Sequence, residues 1–546
     1  MKSKSLSFFW TLTVLYAAVC IAFPLVCVAL SVTAGDIKEV LFSKVWHEAM
    51  RNTALECVSS TTLSVIIGYI FAYAVVKGDI PFAKFFSLVP IVHLVTPPFV
   101  GGLSFILLFG RQGFITKTIF GLDVSLYGFW GLLISQVLCF FPISYMICVQ
   151  TLQGINPNYE QAARGMGASR LRIFFTITLP LSFSGILSAL LFIAVSVLSD
   201  FGNPMIVAGR FKVLAVEIYT QLTGWMNAGK SAAIGLVILV PSIILFVLQN
   251  RLMKNNLAKF ATIGGKTQFL PSKKSSLATR IFLTAFCAVI SLSVILQFVA
   301  IIFGAFQKLW GIETSFTLEH MKNVLRYSTE LKNSVSFALC GALISTFIAC
   351  LSSFIVQRTN LCMKRAIDVL VQIPAAVPGS LFGLALSLAS GALNFRNSSA
   401  MIVIAISVGF LPFSYRIMSS VFSQIKTTMD DGAISLGANK IQLLFTVLLP
   451  ISKGGIFSSF LYDFVRGVGT MSAVIFLVSF KTPLASIKIL NLAEEGFWGK
   501  AASLALVLTI LTFSVIGLGK LVLKKIEDKA PRKTKSIFEF SFRRRK

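Results

Sequence analysis

Histidine is scarce in this chain, three residues in 546, and acidic side chains number 21 against 49 Lys and Arg. So few histidines argue against a clustered transition-metal centre, and only His93 falls inside an apolar stretch, where packing with a hydrogen bond is the plainer reading. The nine cysteines show no CxxC spacing, which excludes zinc ribbons and paired-disulfide frameworks. Cys20, Cys27, Cys139, Cys148, Cys340 and Cys350 lie within apolar runs and read as small buried hydrophobes. No HExxH pair and no GxSxG elbow is present, so these metalloprotease and hydrolase chemistries lack their residues. A nucleotide-binding P-loop is missing too. Its nearest approach, Gly265-Lys266-Thr267, has Phe260 where the first glycine must stand.

Charge itself is in short supply. Charged residues make up 13% and hydrophobic residues 56%, whereas soluble domains carry about 25% charged residues. Lipid is therefore the expected solvent. The formal net charge of +28 does not form one cationic domain, because basic residues punctuate long apolar runs, and no nucleic-acid partner is expected.

A crossing needs roughly 20 apolar residues. Stretches that meet this are 7–32, 53–76, 85–110, 126–151, 181–207 and 232–248, followed by a second set at 281–306, 334–356, 366–388, 400–421, 454–480 and 501–522. The first is too long for the apolar part of a cleavable export signal, so it is expected to remain as a span. The fold class predicted is all-α, a polytopic membrane protein of about twelve helices in two homologous six-helix halves. The halves are 1–250 and 281–525, joined by a basic connector at 251–280 and followed by a basic tail at 526–546. The connector carries Arg251, Lys254, Lys259, Lys266, Lys273, Lys274 and Arg280 without one acid, which places it and both termini in the cytoplasm.

One segment occurs twice, between the fourth and fifth spans of each half. Glu160, Gln161, Ala162, Ala163 and Gly167 lead to Leu179-Pro180, while Asp430, Asp431, Gly432, Ala433 and Gly437 lead to Leu449-Pro450. Asn158 with Gln161, and Thr428 with Asp431, have the spacing of capping boxes that start a short helix. Ala162, Ala163, Gly432 and Ala433 offer a small face to a partner, and Gly167 and Gly437 suit a turn of positive φ. Pro180 and Pro450 fit the first turn of the next helix. A helix lying on the lipid interface, with Phe174, Phe175, Leu443 and Leu444 dipping in, would explain the apolar residues but not the duplicated glycines.

This pattern resembles the EAA loop of binding-protein-dependent ABC import permeases, in which Glu-Ala-Ala, three residues and Gly form the helix that docks on an ATPase. Gln161 stands at the glutamate position with Glu160 before it, and Asp431-Gly432 replaces Glu-Ala in the second copy. The resemblance implies a transmembrane pore subunit in the bacterial inner membrane, two copies of an ATPase subunit as partners and an extracytoplasmic solute-binding protein. It also implies that this chain binds no cofactor, ATP and Mg²⁺ being used on the partner. The stretch 199–204 (Ser-Asp-Phe-Gly-Asn-Pro), with Phe464-Val465-Arg466 and 472–477, is similar to fused ferric-iron permeases, with 2-aminoethylphosphonate and spermidine/putrescine permeases as alternatives.

Polar and ionisable residues within spans are the default substrate-path candidates. They are Asp200 and Asn203 in the first half, and Asp463 and Arg466 in the second, the latter two on one helix face where they could also neutralise each other. Pro97, Pro98, Pro374 and Pro378 are expected to kink the third span of each half. An ion-coupled secondary transporter would need more deep ionisable groups and has no use for duplicated docking helices.

Overall fold

The computed structural model describes residues 4–97, 99–122, 126–260, 276–361, 363–395 and 397–528. Much of the expected connector, Gly265-Lys266-Thr267 included, nearly all of the expected tail, and Pro98 lie outside the described residues. Among the described residues, nine helices are long and apolar enough to cross a bilayer, or eleven when two sharply bent pairs count as spans. Helices satisfy their own backbone groups, which is why such apolar runs adopt them in lipid.

The first half opens with α1 (Leu6–Ser31) and the short α2 (Ala34–Phe42), whose first turn is closed by a Thr33/Asp36 capping box. Next comes α3 (Lys44–Lys77). The third expected span is two helices, α4 (Ala83–Val95) and α5 (Phe99–Phe109). Pro97 supplies no N–H and drives Thr96 into extended backbone, ψ 141°, so the helix stops rather than bends. Then follow α6 (Phe129–Gly154), the short α7 (Pro157–Gly165) and α8 (Arg170–Leu198). The fifth span ends at Leu198, short of the expected 207, and Gly202–Val207 forms a separate α9. The half closes with α10 (Leu214–Tyr219) and α11 (Ala228–Phe260), so helix extends into the expected connector.

The second half repeats this plan with α12 (Leu277–Phe306), α13 (Ser328–Arg358), the pair α14 (Lys364–Ala375) and α15 (Gly379–Ala392) meeting at 111°, and α16 (Ser398–Gln424). The short α17 (Thr427–Ser435) leads to α18 (Lys440–Ile451) and α19 (Lys453–Val468), bent by 77°. Turns over 469–484 replace the expected end of the eleventh span, and α20 (Ala485–Glu494) and α21 (Trp498–Asp528) complete the fold. One departure from all-α is a hairpin of β1 (Gln307–Leu309) and β2 (Glu313–Phe316). Its Trp310 indole donates to the Leu107 carbonyl (3.1 Å) near the end of α5.

Within each half the second and fourth spans, α3 with α6 and α13 with α16, pack along much of their length. Small residues permit this in lipid, where close backbone approach drives association. A Cβ on Gly68 would stand 2.4 Å from the Ser144 Cβ. The first helix of each half crosses to the other half. The Tyr16 hydroxyl of α1 lies 2.7 Å from Ser407 Oγ of α16, and Phe298 of α12 packs edge-on against His93 of α4. His93 is buried and its ring stacks on Phe141, so the one intramembrane histidine is a packing residue.

Candidate functional site

The duplicated segments fold alike. In each, the N–H of the glycine bonds back three residues (Gly167 to Arg164, 2.9 Å; Gly437 to Ile434, 2.9 Å), and the following alanine bonds back five (Ala168 to Ala163, 3.0 Å; Ala438 to Ala433, 3.0 Å). This is a Schellman turn, and it demands the φ of +82° at Gly167 and +89° at Gly437. Ser169 and Asn439 then cap a second helix, and both copies pass through a π-helical stretch, Phe174–Thr178 and Leu443–Leu448. Thr176 and Thr446 each donate to the carbonyl four residues back at 2.6 Å. Pro180 sits in the first α-helical turn after that stretch, within α8, whereas Pro450 sits in the last turn of α18, just before the bend to α19.

The start of each short helix differs from the expected boxes. Asn156, not Asn158, caps α7, because Pro157 already occupies the first helical position and Asn156 Oδ1 accepts from the Asn158 N–H at 3.0 Å. The cap position of α17 is Lys426, and no side chain bonds there. Nor does Glu160 point outward as an acid for a partner. It is buried, 2.9 Å from Lys77 Nζ at the end of α3 and 3.0 Å from Thr178 Oγ1. Asp430 takes the same place in the second copy, 3.3 Å from Arg358 Nη1 at the end of α13. Arg358 also donates to the last carbonyls of α16, at Phe422 and Ile425. Ala163 is buried and Ala433 half-buried, whereas Ala162, Asp431 and Gly432 are exposed and Gln161 is half-exposed. Successive helix residues are about 100° apart, so one small residue of each pair packs inward and only the other remains open.

Between the halves lies a cavity of about 280 Å³, walled by α6, α8 and α11 from the first half and α14, α15, α16 and α19 from the second. Asp200 and Arg466 are on its wall. Asn203 is buried behind Asp200 and donates to its carboxylate at 2.9 Å, while Gln136 Nε2 donates to the same oxygen at 3.0 Å. Gln136 Nε2 also reaches Glu56 at 2.6 Å, so two acids share one amide. Glu56 was within reach of sequence reasoning, as an acid inside an apolar run. Asp463 is fully buried and accepts from Ser414 at 2.7 Å. It forms no ion pair with Arg466 among the described residues, which removes the mutual-neutralisation reading: one turns into the helix packing, the other to the cavity.

The family model described as binding-protein-dependent transport system inner membrane component matches residues 64–255 and again 341–528. This chain belongs to that family. The permease is 29% identical over 452 residues to the ferric transport system permease protein FbpB of Actinobacillus pleuropneumoniae, a match covering 79% of this chain and 64% of that protein. It is 23% identical over 530 residues to the Fe(3+)-transport system permease protein FbpB 2 of Haemophilus influenzae, covering 95% and 98%. Similarity to the molybdenum transport system permease protein ModB of Escherichia coli, 30% identical over 183 residues, covers 32% of this chain and 79% of that one.

The permease carries one further duplicated device that the sequence reading passed over. Asn52 Nδ2 donates to the Lys212 carbonyl (3.1 Å) and Thr53 Oγ1 accepts from the Leu214 N–H (2.9 Å). In the second half Asn333 Nδ2 donates to the Pro483 carbonyl (3.1 Å) and Ser334 Oγ accepts from the Ala485 N–H (2.9 Å). Each polar pair pins the loop that leaves the cavity to the second span of its half. The signal was there: Asn-Thr and Asn-Ser recur at the same place in the two halves.

Proposed function

We propose that this permease forms the path by which ferric iron, delivered by an extracytoplasmic binding protein, crosses the bacterial inner membrane. Two copies of an ATPase dock on α7 and α17, and both termini of the permease face the cytoplasm. The single observation that supports iron as cargo is the relation to the Haemophilus Fe(3+)-transport permease, which spans nearly the full length of both chains. ATP is hydrolysed on the partner, with its Mg²⁺.

The route of force follows from the anchors. Each docking helix is tied by a buried acid to the end of a second span, through Lys77 in one half and Arg358 in the other. When the ATPase pair closes, the two short helices approach, and the spans fixed to them move as rigid bodies about the cavity between the halves.

The test is uptake into proteoliposomes holding the permease, its ATPase and its binding protein. Radiolabelled ferric ion enters with ATP inside, and excess 2-aminoethylphosphonate or spermidine does not compete. Uptake of either competitor in place of iron would overturn the cargo.

A further inference from the structure

Two guanidinium groups face the cavity, and neither has a carboxylate within ion-pair distance among the described residues. Arg416 of α16 donates to Asn250 Oδ1 (3.0 Å) and lies 5.6 Å from the centre of the Phe246 ring. Arg466 of α19 shares the wall with Tyr462, whose side chain it contacts, and with Thr470 and Ser472. The acid on the wall, Asp200, is already engaged by the amides of Gln136 and Asn203. The cavity thus presents more free positive than negative charge.

The internal repeat acts as a control on packing. The alignment that matches Gly167 with Gly437 sets Met146 opposite Arg416 and Ser196 opposite Arg466, so the fold tolerates an uncharged side chain at both places. A guanidinium inside a spanning helix without a carboxylate partner is costly, and a group that the fold does not require points to a ligand. A guanidinium presents a planar fork of donors suited to carboxylate and phosphate oxygens. A bare trivalent cation would be repelled by the same pair.

We infer that this cavity binds an oxyanion through Arg416 and Arg466, and that ferric iron passes as a complex with that oxyanion rather than as the naked ion. Ferric ion is hard and prefers oxygen ligands, so carboxylate, carbonate or phosphate can coordinate it and bring the net charge to zero or below. Iron as the cargo rests on the function proposed above; the anion site does not.

Two measurements test this. In the first, citrate and inorganic phosphate are each titrated calorimetrically into the full chain in nanodiscs. Binding of at least one is expected, weakened tenfold or more in Arg416→Gln and Arg466→Gln and less in the Lys variants, with ATPase co-purification unchanged. Absence of binding to the wild type, or equal affinity in the Gln variants, overturns the site. In the second, the assembled transporter in proteoliposomes receives binding protein charged with labelled ferric ion and labelled citrate or phosphate. Entry of both labels in fixed ratio supports the complex, and entry of iron alone overturns it. Entry of the anion without iron also overturns the complex and makes the oxyanion itself the cargo. If no iron enters while calorimetric binding persists, the ferric reading fails and the anion site stands.

Discussion

Lys77 and Glu160 are 17% and 12% exposed at the side chain, close enough to burial that removing one partner strands the other. Such a loss costs about 3 kcal/mol. Because the pair joins α7 to a spanning helix, the cost should, on the proposed function, appear as slippage: Glu160→Gln is expected to keep its ATPase but lower the uptake obtained per ATP hydrolysed. The double exchange Lys77→Glu with Glu160→Lys should recover much of that ratio, and equal coupling in the single variant and the wild type would remove the anchor. Gly167 and Gly437 make a different argument. A Cβ at either would meet nothing within 4 Å, so space is not the constraint. The positive φ is, and a β-branched residue there is strained by about 1–2 kcal/mol. Gly167→Val or Gly437→Val should therefore reduce co-purification of the ATPase while the protein still reaches the membrane; unchanged recovery would separate the turn from docking.

At the scale of elements, what the sequence made legible follows the kind of signal. Apolar length located a helix in every expected crossing, and the duplicated glycines located both Schellman turns, because these depend on the bilayer and on local backbone alone. Chain breaks were harder. Pro97, Pro374 and Pro378 suggested kinks, yet α4 and α5, and α14 and α15, are separate helices, since whether a proline bends or ends a helix depends on what neighbours supply to the freed carbonyls. The direction of Glu160 was illegible for another reason: its partner Lys77 lies 83 residues away, and no local pattern fixes that meeting. The loop clamps were legible in principle. Asn52 and Asn333 each make one hydrogen bond to a loop carbonyl, worth about 1 kcal/mol. Asn52→Ala and Asn333→Ala should each lower the thermal unfolding midpoint, and their effects should add, since the clamps share no partners. A combined loss no larger than either single loss would show that the clamps are not independent.

For the whole molecule, the crossing of α1 and α12 matters most. Each half is completed by a helix of the other, so the halves interlock around their shared cavity. The cavity wall belongs to both halves, and its charges are divided by sign: the acid, Asp200, comes from the first, and Arg416 and Arg466 from the second. The Schellman-turn segments and the loop clamps are thus alike in the two halves, while the charged residues on the cavity wall differ. That division fits a device in which coupling is symmetric and passage is not.

On the proposed function, motion about the cavity is driven from outside the chain, through α7 and α17. The most direct measurement compares solute accumulation in vesicles containing permease and binding protein with and without the ATPase, ATP being enclosed in both. Uphill accumulation only when the ATPase is present is the predicted result. Accumulation against a gradient by vesicles lacking the ATPase would contradict it.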